Sequence, residues 1–231
     1  MQILKVIALL LEYPDEQVWQ SGEELNALVS QEAPELLAFV KRQLSGNLLD
    51  RQAEWGEIFE RGRSTSLLLF EHVHAESRDR GQAMVDLMAQ YERAGLAIDC
   101  RELPDYLPLY LEYLSTREPT EARQGLQDVA PILALIGGRL KQRDAPYNVL
   151  FDALLRIAGS KLRSDSVTKQ VSGEARDDTP KALDAVWEEE QVKFIEDSGQ
   201  SCSSSPLQQH QRRFSQETVP QYLDLSVGGQ K

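Results

Sequence analysis

Met1-Gln2-Ile3-Leu4-Lys5-Val6-Ile7-Ala8-Leu9-Leu10-Leu11-Glu12-Tyr13-Pro14-Asp15 opens the chain. Within it Ile3, Val6, Ile7, Leu10 and Leu11 fall at i, i+3, i+4, i+7 and i+8. That spacing puts all five on one face of an α-helix. Tyr13-Pro14-Asp15 ends the run. The stretch is broken by Lys5 and is far shorter than the ~20 apolar residues a bilayer demands. It also lacks a small-residue cleavage site before Glu12 and Pro14, so it is read as a core helix rather than a signal peptide.

The same period recurs down the chain. Asp15 is expected to cap a second helix running through Val18, Trp19, Leu25, Leu28 and Val29, weakened at Gly22. Pro34 opens a third that carries Leu36, Leu37, Phe39, Val40 and Leu44 and stops at Gly46-Asn47. Trp55, Ile58 and Phe59 mark the next helix, which reaches Gly62. A short apolar burst, Leu67 to Phe70, follows. Ser77 then reads as a cap, with Met84, Leu87, Met88 and Tyr91 on one face before Gly95. Pro104-Asp105 opens a helix holding Tyr106, Leu109, Tyr110, Tyr113 and Leu114. Leu126, Val129, Leu133, Ile136 and Leu140 belong to another, kinked at Pro131. Asp144 caps the last core helix, which turns Tyr147, Leu150, Phe151, Leu154 and Ala158 inward. No segment shows the alternating, β-branched pattern of a strand hairpin, and no repeat of fixed period is found. The expected fold is all-α: one helical bundle over residues 1–160. An acidic tail with one helix (Pro180 to about Ile195) follows over 161–197. Residues 198–231 are too poor in apolar groups to offset ordering entropy and are expected to stay disordered.

Composition narrows the function. Hydrophobic residues make up 41% of 231, enough for a real core. The formal net charge of −12 disfavours nucleic acid and anionic lipid and favours basic partners. Cys100 and Cys202 form no CxxC pair, which fits a reducing, cytoplasmic setting and gives no support to zinc or iron–sulfur ligation. His72 and His74, near Glu71 and Glu76, stand at i, i+2, so they do not share a helical face as metal ligands would. Packing or capping is the plainer role. No HExxH, GxSxG or phosphate-loop motif occurs. Ser64-Thr65-Ser66 near His72 says little about a triad, and Gly137-Gly138 follows a helical run rather than a strand, which suits close helix packing better than a dinucleotide turn.

Two segments carry more. In Trp55-Gly56-Glu57-Ile58-Phe59-Glu60-Arg61-Gly62-Arg63 the two aromatics stand four apart, on one face, as a core pair would. In Glu102-Leu103-Pro104-Asp105-Tyr106-Leu107-Pro108-Leu109-Tyr110-Leu111-Glu112-Tyr113, an N-cap at Asp105 would place Pro108 in the first turn, where it loses no ladder bond. Capping and the helix dipole would then favour Asp105 by roughly 1 kcal/mol. That account leaves Glu102 and the density of tyrosines beside carboxylates unexplained. Tyrosine with carboxylate suits a groove for an apolar peptide with a basic end. On physics alone, capping and groove stand level.

At these segments the sequence resembles the redox-enzyme maturation proteins that serve molybdenum enzymes and twin-arginine-targeted enzymes. It is most similar to the delta-subunit chaperones of bacterial respiratory nitrate reductase. The motifs are Trp55-x-x-Ile58-Phe59-x-x-Gly62 and Glu102-x-Pro104-Asp105-Tyr106-x-Pro108-x-x-Leu111-Glu112. The runs Ser64 to His74, Glu76 to Met84, Ala175 to Pro180 and Ala185 to Gln191 also fit. Trp55 stands where a tyrosine is more usual, and residues 198–216 match least. The resemblance implies a non-enzymatic, all-helical chaperone. It would bind the N-terminal segment of the apo catalytic subunit while molybdenum cofactor and an iron–sulfur cluster are inserted. It would also delay docking on the membrane partner and leave before the final complex forms. It implies no stably bound cofactor of its own and leaves contact with cofactor-delivery proteins open.

The expected client-binding residues are Trp55, Phe59, Leu67, Phe70, Glu71, His72, Glu102, Pro104, Asp105, Tyr106, Pro108, Tyr110 and Glu112. The groove would lie between the aromatic face of the 104–114 helix and the Leu67–Phe70 burst, with Glu102, Asp105 or Glu112 meeting basic residues. The tail from Glu174 to Asp197 holds nine acidic and three basic residues. It reads either as a solvated helix face or as a second client contact or flap. Two other classes stay open: a small helical enzyme using carboxylates such as Glu71 and Asp79, and a permanent structural subunit of a redox complex.

Overall fold

A computed structural model describes residues 1–73, 78–98 and 102–188. Among them the regular structure is helical throughout, and the one extended pairing is an isolated bridge between Leu68 and Tyr106. The helices are α1 (Gln2–Leu11), α2 (Glu16–Gln20), α3 (Gly22–Glu32), α4 (Leu37–Leu44), α5 (Leu48–Phe59), α6 (Arg78–Arg93), α7 (Leu107–Ser115), α8 (Pro119–Asp128), α9 (Ala130–Gln142), α10 (Asn148–Ile157) and α11 (Thr168–Val171). Short 3₁₀ turns occupy Pro34–Leu36, Arg63–Thr65, Leu69–His72 and Ser164–Val167. None of these helices is long and apolar enough to cross a membrane.

α1 is the central strut. Ile3, Leu4, Val6, Ile7, Ala8, Leu10 and Leu11 are all buried, more than the one face its spacing predicted. A helix that is apolar around most of its circumference has to be enclosed. Here α7 and α3 do so. α1 and α7 run antiparallel: the Met1 ammonium donates to the Ser115 carbonyl at 2.9 Å, at the end of α7 where the helix dipole favours a cation. The far end of α1 therefore reaches the start of α7, which places Glu12 and Tyr13 beside the Glu102–Tyr106 segment.

Three helix boundaries differ from the sequence reading. The expected second helix is two, broken at Ser21, although Asp15 does cap the first through Val18 N–H at 3.0 Å. The helix expected to kink at Pro131 is also two: α8 ends at Asp128 and α9 begins at Ala130, so Pro131 sits in a first turn, where its missing N–H costs nothing. Asp144 is no cap. It occupies a left-handed turn (φ +53°) ahead of Pro146, and α10 starts only at Asn148. Ser77 lies outside the described residues.

The compact unit runs from Met1 to Leu183, past the expected end near residue 160. The extension is held on α9. Gly137 and Gly138 bring that helix against Ser164, Val167 and Val171: a Cβ at Gly138 would stand 2.6 Å from Val167 Cγ2, and one at Gly137 would strike Ser164 Oγ and come within 3.1 Å of Phe151 Cβ. Ser164 is fully buried and donates to Asp152 at 2.6 Å. Gly137→Ala is expected to destabilise the fold by about 2 kcal/mol through overpacking, read as a lower urea midpoint. Gly56→Ala on α5, which has only the Glu60 carboxylate nearby at 3.5 Å, serves as the control. A second unit begins at Asp184, and its described residues, 184–188, are helical.

Candidate functional site

α5 and the 3₁₀ turn at Leu69–His72 are joined by a loop that pairs with the entry to α7. Leu107 N–H donates to Leu67 O at 2.8 Å, and Leu69 N–H donates to Asp105 O at 3.0 Å. Between this loop and the end of α5 lies a cleft of about 230 Å³, lined by Trp55, Phe59, Glu60, Ser66, Leu67, Leu68, Glu102 and Tyr106. Both sequence motifs thus meet in one place. Trp55 and Phe59 form the floor. They are buried, with rings 5.5 Å apart. Trp55 Nε1–H donates to Leu11 O at 2.8 Å, which fixes the indole and satisfies its polar atom. Phe59 packs edge-on against Tyr147 at 5.0 Å. Tyr13, half in solvent, sets its ring perpendicular to Trp55 at 5.4 Å and extends the aromatic surface.

The rim is acidic. Glu60 and Glu102 are exposed at the cleft. Glu12, half-buried at the end of α1, has its carboxyl pushed up from the usual range by burial first. The charges of Glu112, Asp15 and Glu102 then add to the shift. Mutually repelling carboxylates over aromatic surface favour a cation with an apolar base. Glu60, Ser66 and Leu68 line the cleft without having been among the expected site residues, and neither were Tyr13, which packs on Trp55, and Glu12, which feels the Glu102 charge. The signal was faint: Glu12-Tyr13-Pro14 reads as a helix end, and only the antiparallel run of α1 along α7 brings it here.

The remaining expected residues lie elsewhere. Asp105 does not cap α7; Tyr106 takes that position, with Leu107 and Pro108 in the first turn. Asp105 is fully buried and accepts from Phe70 N–H at 2.9 Å, so it ties the two segments together from inside. Pro104 is buried and its carbonyl accepts from Tyr91 Oη at 2.8 Å. Pro108 and Tyr110 are buried, and Tyr110 donates to Gly125 O at 3.2 Å. Burial raises the Tyr110 phenol well above its ordinary value, so it stays neutral. Phe70 and Glu71 are half-buried, and Glu71 approaches Arg80 at 3.7 Å. Glu112 is exposed one turn before the end of α7.

His72 joins a different group. Its Nε2 lies 2.9 Å from Ser66 O and its Nδ1 3.4 Å from Arg139 Nη1. Burial lowers its pKa against the opposing effect of the Ser66 carbonyl, so it is a neutral packing residue. No cluster that could hold a metal ion is found among the described residues; His74, His210, Cys100 and Cys202 lie outside them.

Around His72 the segment Glu174–Asp178 straps back onto the core. Asp177 accepts from Ser64 N–H (2.8 Å), Ser64 Oγ (2.7 Å) and Arg143 Nη2 (2.5 Å). Glu174 pairs with Arg139 at 2.7 Å, and Arg139 also donates to Ser64 O at 2.9 Å. Gly62 makes room: a Cβ there would stand 2.6 Å from Asp177 Cγ. This part of the acidic tail is therefore neither a solvated face nor a loose flap. It braces the turn that leads into the cleft wall at Ser66.

The pattern of the nitrate reductase delta subunit family matches residues 22–153. Over the full length of both chains, the protein is 68% identical to the probable nitrate reductase molybdenum cofactor assembly chaperone NarW of Escherichia coli K12. It is 54% identical to the nitrate reductase molybdenum cofactor assembly chaperone NarJ of the same strain, covering 98% of each chain. It is 28% identical to a probable NarJ of Bacillus subtilis 168, covering 72% of this chain and 91% of that one. These relatives are named as assembly chaperones rather than as catalysts. A match over more than half the chain, together with end-to-end similarity to two of these proteins, establishes that the chain belongs to the nitrate reductase delta subunit family.

Proposed function

We propose that the protein is a molybdenum cofactor assembly chaperone for a respiratory nitrate reductase, and that the acid-rimmed aromatic cleft is where it holds its client. The client is the apo catalytic subunit, engaged through its N-terminal segment in the cytoplasm. It is kept competent for molybdenum cofactor and iron–sulfur insertion and kept from docking early on its membrane partner. The chaperone acts by binding, without turnover and without a stably bound cofactor of its own. The names of the relatives support the assembly role. The observation that carries the site is the meeting of Trp55, Phe59, Leu67, Glu102 and Tyr106 in one cleft.

The chemistry follows from the lining. An amphipathic client helix lays an apolar side chain over Trp55, Phe59 and Tyr106, and a neighbouring lysine or arginine meets Glu60 or Glu102. Ordering the peptide opposes binding, so affinity is moderate and the client can be released. The experiment is calorimetry with a peptide of the catalytic subunit's N-terminal segment. Glu102→Ala combined with Tyr106→Ala should weaken binding at least tenfold, a loss of about 1.4 kcal/mol. Raising salt should weaken the wild-type complex and barely affect the residual binding of the double variant. Undiminished affinity in the double variant would rule out the cleft as the client site.

A further inference from the structure

α7 borders a second cleft, and we propose that the two clefts form one groove that reads an apolar residue, a basic residue and a second apolar residue along a single ligand helix. The inference rests on the client-peptide reading above and specifies the pattern of that ligand.

The second cleft, of about 270 Å³, is walled by Leu96, Ile98, Leu109 and Tyr113, with Lys5 and Glu112 at its edge. Tyr113 is held in place. Its ring lies 4.9 Å from the buried Tyr91 ring, and the Arg117 guanidinium sits 5.4 Å from its centroid. One helix therefore serves both clefts. Tyr106, at the N-cap of α7, lines the first, while Leu109 and Tyr113 line the second. Seven residues of helical rise separate Tyr106 from Tyr113, roughly 10 Å. A ligand helix lying along α7 spans the same distance in two turns, so residues i and i+7 drop into the two clefts.

In the proposed groove the saddle between the clefts is acidic. Glu102 belongs to the first, Glu112 to the second, and both act electrostatically on Glu12 at the end of α1. A cation at i+3 or i+4 of the ligand sits over this saddle and relieves the repulsion among the three carboxylates. Lys5, at the edge of the second cleft, counters the pull of Glu112 on a cation placed there. The charge pattern thus confines the basic residue to the middle and leaves both ends for apolar side chains. Charge complementarity and the shared wall of α7 identify the occupant as a cationic amphipathic helix, the form proposed for the client segment.

The test uses the full chain and designed helix-forming peptides. The reference peptide carries leucine at i and i+7 with arginine at i+3 and i+4. A second moves the i+7 leucine to i+5, off the face; a third replaces both arginines with glutamine. Calorimetry should show the reference binding at least tenfold more tightly than the second peptide, and about fivefold or more tightly than the third. Ile98→Ser should reduce the affinity for the reference peptide toward that of the second and leave the second unchanged. Glu12→Gln should weaken the reference and spare the glutamine peptide. If Tyr106→Ala weakens the reference while moving the i+7 leucine and Ile98→Ser have no effect, the second cleft is no part of the groove and the client reading stands. If Tyr106→Ala has no effect either, both proposals fall.

Discussion

Arg143→Met is expected to cost about 3 kcal/mol of folding stability, or roughly 6–12 °C in Tm for a unit of this size. The guanidinium is nearly enclosed, with 7% of its side chain exposed, and it satisfies several groups at once. It donates to Thr65 Oγ1 at 2.9 Å, to Ser64 Oγ at 2.5 Å and to Asp177 at 2.5 Å, and it stands 3.8 Å from Asp178. Methionine fills much of the space and leaves the carboxylates beside an apolar chain. About a third of the Asp177 side chain meets solvent, so water recovers part of the loss and the cost stays at the low end for a broken buried pair. The effect depends on pH. Burial alone would raise the Asp177 carboxyl, but the Ser64 hydroxyl and amide and the Arg143 guanidinium outweigh it and hold the pKa below the usual value. Asp178 is lowered too, chiefly by Arg176, against burial. For carboxyls depressed in the folded state, the stabilisation is complete above the unfolded value of about 4 and is lost as pH falls through the folded values. Urea melts should show the full gap between wild type and variant at pH 7 and a gap that narrows as the pH is taken below about 4. Equal stability at pH 7 would mean that the strap contributes nothing to the fold.

That strap also marks the limit of what the sequence discloses. Apolar period alone locates nearly every helix of the unit, because each buries an apolar stripe against its neighbours. It misplaces the boundaries at Ser21 and Val129, where neighbouring helices share one continuous apolar phase, and the start of the last core helix at Asp144, where a left-handed turn stands in place of a cap. The end of the compact unit was missed for a different reason. Residues 161–183 are held by small apolar contacts on Gly137 and Gly138 and by ion pairs, and neither leaves a hydrophobic signature in a window of sequence. The site shows the same division. Trp55, Phe59, Leu67, Glu102 and Tyr106 could be nominated because they lie in the motifs and runs that carry the family resemblance; residue types alone read Trp55 and Phe59 as a core pair and left capping and groove level for the Glu102–Tyr113 segment. Glu12 could not, since its place depends on the antiparallel packing of two helices a hundred residues apart. Asp105 was nominated in the wrong role: Pro104-Asp105 ahead of an apolar run is the local pattern of an N-cap, and nothing local distinguishes a cap from a carboxylate turned toward Phe70.

Asp105→Ala is therefore expected to act on stability and on client binding together. Removing the carboxylate leaves the Phe70 N–H without its acceptor in a buried position, at a cost of about 2 kcal/mol. The main-chain bonds Leu69 N–H to Asp105 O and Leu107 N–H to Leu67 O remain, so the loop stays attached but loses one of its ties. Leu67 and Leu68 wall the first cleft, and the looser loop should weaken the client peptide severalfold. Asp105→Asn separates charge from tie. Asparagine keeps an oxygen for Phe70 and removes a buried charge; Asp105 Oδ1 finds no hydrogen-bond partner among the described residues. Burial raises the Asp105 carboxyl, with the Phe70 amide and Arg80 opposing and Glu71 adding to the shift. A carboxyl raised in the folded state carries a penalty that builds as pH rises above its unfolded value and is complete above its folded value, and the penalty is relieved as pH falls and the proton returns. The stability of Asp105→Asn relative to wild type should accordingly be greatest near neutral pH and decline in acid, with the two proteins within about 1 kcal/mol throughout. Peptide affinity of the Asn variant should match wild type, because the loop is still tied. If Ala binds the peptide as tightly as Asn does, the cleft wall does not depend on this tie, and the buried carboxylate serves folding alone.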